Sequence, residues 1–173
     1  DFVFSSEHFE EHRNSDEDLI KLIPFGISLT QDPQRPVLLL KAEKGDHTLP
    51  VALTPLEAGV TITQSNKKQK ATPHRVTEML LVSLKMKIEK AIFVEIKNHH
   101  QYVRLYFENH PHVGTLKVRA DEAMSLCLHL GTELYATPAF MAKSKVMNAD
   151  AEGIFKGLAQ NPGVFARNHE YLM

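Results

Sequence analysis

Three times this chain sets threonine directly before proline, at Thr54-Pro55, Thr72-Pro73 and Thr137-Pro138. A threonine hydroxyl accepts a hydrogen bond from the partnerless N–H groups at a helix start, and proline at the first helical position sacrifices no backbone bond. Each pair therefore predicts a helix beginning, and together they cut the chain into segments that must be strands or turns. Ile20–Leu29 and Pro36–Lys41 read as strands on either side of the turn-rich Gln31-Asp32-Pro33-Gln34, and Lys44-Gly45-Asp46 leads into a third strand, Thr48–Leu53. Further on, Ile92, Val94 and Ile96 alternate with polar neighbours, as do Val103, Leu105 and Phe107, and again Leu116 and Val118. His99-His100 falls in the tight connection between the first two of these runs, so they are expected to pair antiparallel.

The helices follow from the same punctuation. Glu57, three residues after Thr54, has the spacing of a capping box. The second helix is expected to run to about Met86, with Val76, Met79, Leu80 and Leu84 forming one buried stripe. A helix from about Asp121 to Leu130 should stop at Gly131, with Asp121 as its cap and Arg119 paired to a nearby carboxylate. A short strand, Glu133–Ala136, and a last helix ending near Met147 complete the order. Strands joined by short hairpins and interrupted by helices predict an α+β single domain, a mixed, largely antiparallel β-sheet with helices packed on it. The chain has no glycine-rich phosphate loop, which argues against a doubly wound nucleotide fold.

Residues 1–18 form an acidic N-terminal arm, residues 19–147 the domain, and residues 148–173 a tail with one short helix at about Asp150–Leu158. Residues 1–35 carry three Lys/Arg against eight Asp/Glu, whereas residues 36–146 carry fifteen against ten. A basic core suits a polyanionic partner, with the acidic arm able to compete for the same surface. No apolar run approaches membrane-spanning length, and the first residue is Asp rather than Met, so the native start can lie further upstream. The expected setting is cytoplasmic, without a membrane partner. Cys127 sits among Ala123, Met124, Leu128 and Leu130 and reads as a packed thiol.

Among residues able to do chemistry, His74 follows Pro73 at a helix start, where the positive end of the helix dipole favours neutral imidazole, a proton acceptor. Lys117 and Arg119 lead into Asp121 and Glu122, so cations and carboxylates gather where a strand becomes a helix; such a corner can hold a phosphate. Tyr102, Arg104 and Tyr106 share one strand face, interleaving aromatics with a cation as single-stranded nucleic-acid surfaces do and as protein interfaces also do. Lys67 and Lys68 lie in a basic loop able to touch a phosphate backbone. The ten histidines lack metal-ligand spacing, with no cysteine partners and no helical pair four residues apart.

These segments together resemble the bifunctional nuclease domain. The resemblance rests on Pro36-Val37-Leu38-Leu39-Leu40-Lys41, Leu49-Pro50-Val51 running into Leu56-Glu57-Ala58, His74 at a helix start, Arg119-Ala120-Asp121-Glu122-Ala123, and Leu134-Tyr135-Ala136, and it covers about residues 19–146. It implies an α+β domain, found in bacteria and plants, with nuclease activity toward DNA or RNA in some members. By position it implies Glu57, His74, Arg119 and Glu122 as catalytic candidates. Lys117, Arg104, Lys67 and Lys68 are then substrate-binding candidates, and Mg²⁺ is a conceivable cofactor near Asp121 and Glu122. The chain departs from the family pattern where Arg75 stands for an acid, Ala120 for proline, Asp121 for serine and Glu122 for aspartate. With an acid lost beside His74, the alternative is a non-catalytic oligomeric module binding a protein partner or small anion. A homodimer is expected on frequency alone.

Overall fold

The computed structural model describes residues 18–29, 35–65, 72–108 and 110–149. The expected arm, the tail helix, the Gln31–Gln34 turn and the Lys67-Lys68 loop lie outside the described residues, apart from Asp18 of the arm and the last residues of the final helix. Among the described residues, seven strands and four helices follow in the order β1 (Ile20–Leu29), β2 (Pro36–Ala42), β3 (Thr48–Ala52), α1 (Pro55–Ser65), α2 (His74–Ser83), β4 (Lys87–Lys97), β5 (His100–Glu108), β6 (Thr115–Arg119), α3 (Ala120–Leu130), β7 (Glu133–Ala136) and α4 (Pro138–Ala149).

All seven strands form one mixed sheet in the order β3-β2-β1-β7-β4-β5-β6. Five of its pairings are antiparallel; β4 with β7 alone is parallel. Two meanders, β1–β3 and β4–β6, thus flank the late and short β7. The β4–β5 connection is a two-residue loop, and Asn98 and His99 both take positive φ, 51° and 62°. That is the turn whose twist matches antiparallel strands.

Val103 and Leu105 of β5, Phe93 and Ala91 of β4, and Leu134 and Ala136 of β7 face one side of the sheet and join a continuous core with Ala120, Ala123, Met124 and Cys127 of α3, Ala58 of α1, and Phe140 and Met141 of α4. The small Ala58 and Ala123 let α1 and α3 lie close together on this inner face. On the outer face, Tyr102 and Tyr106 stand beside Arg104. Lys117 pairs with Glu95 at 3.0 Å, and its ammonium lies 5.9 Å from the Tyr102 ring centre.

Two helix ends share one solution with different residues. After α3, Gly131 (φ 66°) donates to Leu128 O while Thr132 donates to Cys127 O; after α2, Lys85 (φ 54°) donates to Val82 O while Met86 donates to Leu81 O. Both are left-handed terminations that satisfy the last carbonyls. Lys85 ends α2 earlier than the expected Met86, because the apolar periodicity continues past a residue that has already left the helix.

Three expectations about the helices need correcting. Thr54 and Thr137 cap as expected, accepting from Glu57 N at 3.2 Å and Phe140 N at 3.1 Å, but Thr72 places its hydroxyl 3.3 Å from His129 Nδ1 and α2 has no side-chain cap. Asp121 does not cap α3 either, since Arg119 holds its carboxylate. The Val76, Met79, Leu80 and Leu84 stripe is exposed rather than buried: α2 turns its polar side toward α3. Among the described residues no helix is long and apolar enough to cross a membrane.

Candidate functional site

Where α1, α2 and α3 meet, three side chains distant in sequence form a hydrogen-bonded chain. Ser125 lies on α3 among Ala123, Met124 and Cys127, and its side chain is fully buried. Its hydroxyl donates to Glu57 Oε2 of α1, and its oxygen stands 2.6 Å from His74 Nε2 of α2. Gln64, near the end of α1, adds a bond from its amide to Ser125 O at 2.7 Å. Glu57 is thereby drawn away from the expected capping box: its backbone N–H meets Thr54, but its carboxylate goes to Ser125 instead of returning to the helix start.

One turn along, a second rung repeats the spacing. His129 Nε2 lies 2.8 Å from Glu78 Oε2, so residues 74 and 78 of α2 meet residues 125 and 129 of α3, each pair four apart on its helix. The two imidazole rings are 6.1 Å apart, centre to centre.

Proton counting fixes the tautomer of His74. A serine hydroxyl has one proton, and that proton points at Glu57; the ring nitrogen facing Ser125 must then be the one carrying hydrogen. In the neutral ring the lone pair is consequently on Nδ1. Partial burial pulls the His74 pKa below its usual 6.5, opposed by the charge of Glu57 and aided by His129. His74 is therefore neutral at physiological pH and ready to accept a proton at Nδ1.

The strand-to-helix corner has a different organisation. Arg119 meets Asp121 through two bonds, Nε to Oδ1 at 2.9 Å and Nη2 to Oδ2, and its pKa is raised chiefly by that contact. Glu122 is exposed, close enough to reinforce the charge of Arg119 and three residues before Ser125 on the same helix. Asp121 and Glu122 both lie one turn from Ser125, so the corner adjoins the hydrogen-bonded chain along α3. Lys117 and Arg104 point to the outer face of the sheet, Arg104 donating to Thr115 Oγ1 at 3.1 Å; α1 and α3 occupy the other face.

Among the described residues, no three or more His, Cys, Asp or Glu come together as a group able to hold a metal ion. Asp121 is already held by Arg119 and Glu57 by Ser125, so the donor set does not fit a protein-ligated Mg²⁺.

Of the candidates expected from the sequence, Glu57 and His74 meet in this hydrogen-bonded chain, whereas Ser125, Gln64, Glu78 and His129 were not among them. The available signal was Ser125 itself, one hydroxyl on an otherwise apolar helix stripe, with His129 one turn on.

Comparison with known proteins covers most of this architecture. Residues 38–149 match the bifunctional nuclease domain. The chain is also similar to two proteins of Mycobacterium tuberculosis, Uncharacterized protein MT1877 of strain CDC 1551 / Oshkosh and Uncharacterized protein Rv1829 of strain ATCC 25618 / H37Rv. Each is 24% identical over 127 residues, spanning 72% of this chain and 76% of the relative. The matched region runs from β2 through α4 and includes Glu57, His74 and Ser125, and the chain belongs to the bifunctional nuclease domain family.

Proposed function

We propose that this chain hydrolyses phosphodiester bonds in DNA or RNA, with His74 as the proton-transferring group. The observation that supports this reading is the Glu57–Ser125–His74 chain, which joins residues 51 and 68 positions apart and leaves the Nδ1 lone pair of a neutral imidazole for a reacting water. Nδ1 takes a proton from the water as its oxygen attacks phosphorus. The imidazolium so formed donates through Nε2–H to Ser125, whose own proton rests on Glu57, so the new positive charge is steadied by a carboxylate one residue removed. The same proton then passes to the oxygen leaving phosphorus.

Arg119 lies opposite Tyr102 in the β5–β6 ladder, on the strand face that carries Lys117 and Arg104, with its guanidinium held by Asp121 and Glu122 close by. Arg75, exposed where the family has an acid, adds a cation next to His74 on the approach of a phosphate. Lys117 and Arg104 share the strand face of Arg119, away from α1 and α3.

General acid–base catalysis contributes about 10²- to 10⁴-fold. Cleavage of labelled single- and double-stranded DNA and RNA by the purified protein should drop by that order in His74→Ala and markedly in Ser125→Ala. Equal activity in the wild type and His74→Ala would mean a contaminating nuclease and sink the reading.

A second reading, binding without cleavage, draws on the outer face, where Tyr102 and Tyr106 interleave with Arg104 and Lys117. It expects steeply salt-dependent affinity for single strands that Tyr102→Ala weakens, with no product formed.

A further inference from the structure

Helix α2 has no buried residue among its ten, although Val76, Met79, Leu80 and Val82 lie on it and Leu84 at its end. These five are 64%, 61%, 58%, 70% and 63% exposed. Val76, Met79, Leu80 and Leu84 fall on one side at helical spacing, and Val82 widens the strip. The opposite side holds His74 and Glu78 against α3. A ten-residue helix is marginal by itself, and this one is tied to the domain by the His74 and Glu78 bonds and by the half-buried Leu81 packed against the core.

We propose that a second copy of this chain docks on this face, the two α2 helices meeting antiparallel about a two-fold axis near Met79 and Leu80. Three features favour a second copy over an unrelated partner. The five positions are apolar and Arg75 and Ser83 interrupt them, so the strip matches itself under two-fold symmetry, with each Arg75 falling beside the C-terminal end of the partner copy's α2, where a cation is favoured. The helix has no acid in its first turn and no base in its last, and antiparallel pairing sets each end of one dipole beside the opposite end of the other. The area also suffices. A Val, Leu or Met side chain carries about 100 Å² of apolar surface that burial removes, so five at about two-thirds exposure offer roughly 300 Å² per copy. Two copies then bury about 600 Å² of apolar surface, and because the core of an interface is about 65% apolar, the total approaches roughly 900–1,000 Å². That is the lower end of specific interfaces, as befits a reversible dimer. The same contact braces the helix that carries His74.

Sedimentation of the full chain from about 1 to about 200 µM, the range over which a modest interface dissociates, tests this directly and requires no catalysis. The wild type should shift from monomer toward dimer. Leu80→Glu should stay monomeric with an unchanged circular dichroism spectrum, its association weakened at least tenfold. Met79→Cys, oxidised, should form a disulfide-linked dimer, while wild type, whose single Cys127 is buried, should not. A wild type that is monomeric throughout, a folded Leu80→Glu that dimerises normally, or a Met79→Cys that yields no linked dimer would each overturn the proposal. The cross-linking result decides the matter if Leu80→Glu fails to fold.

Discussion

Replacing Ser125 with alanine removes the centre of the hydrogen-bonded chain while leaving its two ends in place. Ser125 is fully buried and bonds a carboxylate on one side and an imidazole on the other. A bond to a charged group contributes about 1.5–3 kcal/mol and a neutral one about 1 kcal/mol, and each deserted partner adds the cost of an unmet donor or acceptor. Glu57 and His74 are both partly exposed, so water replaces some of what is lost. Halving a gross loss of about 4 kcal/mol leaves roughly 2 kcal/mol. For a folded region of this size each kcal/mol is about 4 °C in Tm, so Ser125→Ala should melt roughly 8 °C lower. Ser83→Ala serves as the control: that hydroxyl bonds back to Met79 O on an exposed helix surface, and its loss should change stability by less than about 0.5 kcal/mol. Urea denaturation of Ser125→Ala, His74→Ala and the double variant then gives a coupling energy, expected near 1 kcal/mol. A Ser125→Ala loss within the control's range, or single effects that simply add, would refute the chain as a coupled unit.

Other consequences are equally open to measurement. The folded-state pKa of His74 lies below 6.5, so the unfolded chain binds the extra proton first as pH falls and stability declines from about pH 6.5 downward; His74→Gln should flatten that part of a urea-midpoint profile. Lys85 occupies the left-handed position that Gly131 occupies after α3, so Lys85→Gly should stabilise and Gly131→Ala destabilise by about 1 kcal/mol each, read from urea titrations. At Gly131 a Cβ would meet no atom within 4 Å, so the loss there is backbone strain alone. Burial pushes the Cys127 thiol up to about 12, and its reaction with a thiol reagent at pH 8 should be slow in native protein and fast once urea unfolds it.

Much of this architecture was legible in the sequence. Alternation at Ile92–Ile96, Val103–Phe107 and Leu116–Val118 gave the second meander, and Thr54-Pro55 and Thr137-Pro138 gave two helix starts, because those signals are local. The failures were cases where local rules admit two outcomes and tertiary contact chooses. Periodicity placed Val76, Met79, Leu80 and Leu84 on one side of α2 but could not say which side meets the protein; His74 and Glu78, bonded to α3, decided it. Glu57 had the spacing of a capping box, and only Ser125, 68 residues away, reveals that its carboxylate is used elsewhere. Ser125 escaped notice because a lone serine on a helix ordinarily bonds its own backbone.

The position of β7 has consequences for how the molecule is made. Among the described residues, four near the end of the domain, Glu133–Ala136, join the β1 and β4 edges of the two meanders into one sheet. A ribosome-bound chain that has emerged only to residue 130 holds two three-stranded pieces, each with an apolar edge open at β1 or β4. Sheet closure must await Leu134 and Ala136, both fully enclosed once in place. Such long-range pairing is slow, and open edges of this kind are where nascent chains stick to one another. Chains ending at residue 130 should therefore aggregate more readily than chains ending at residue 149.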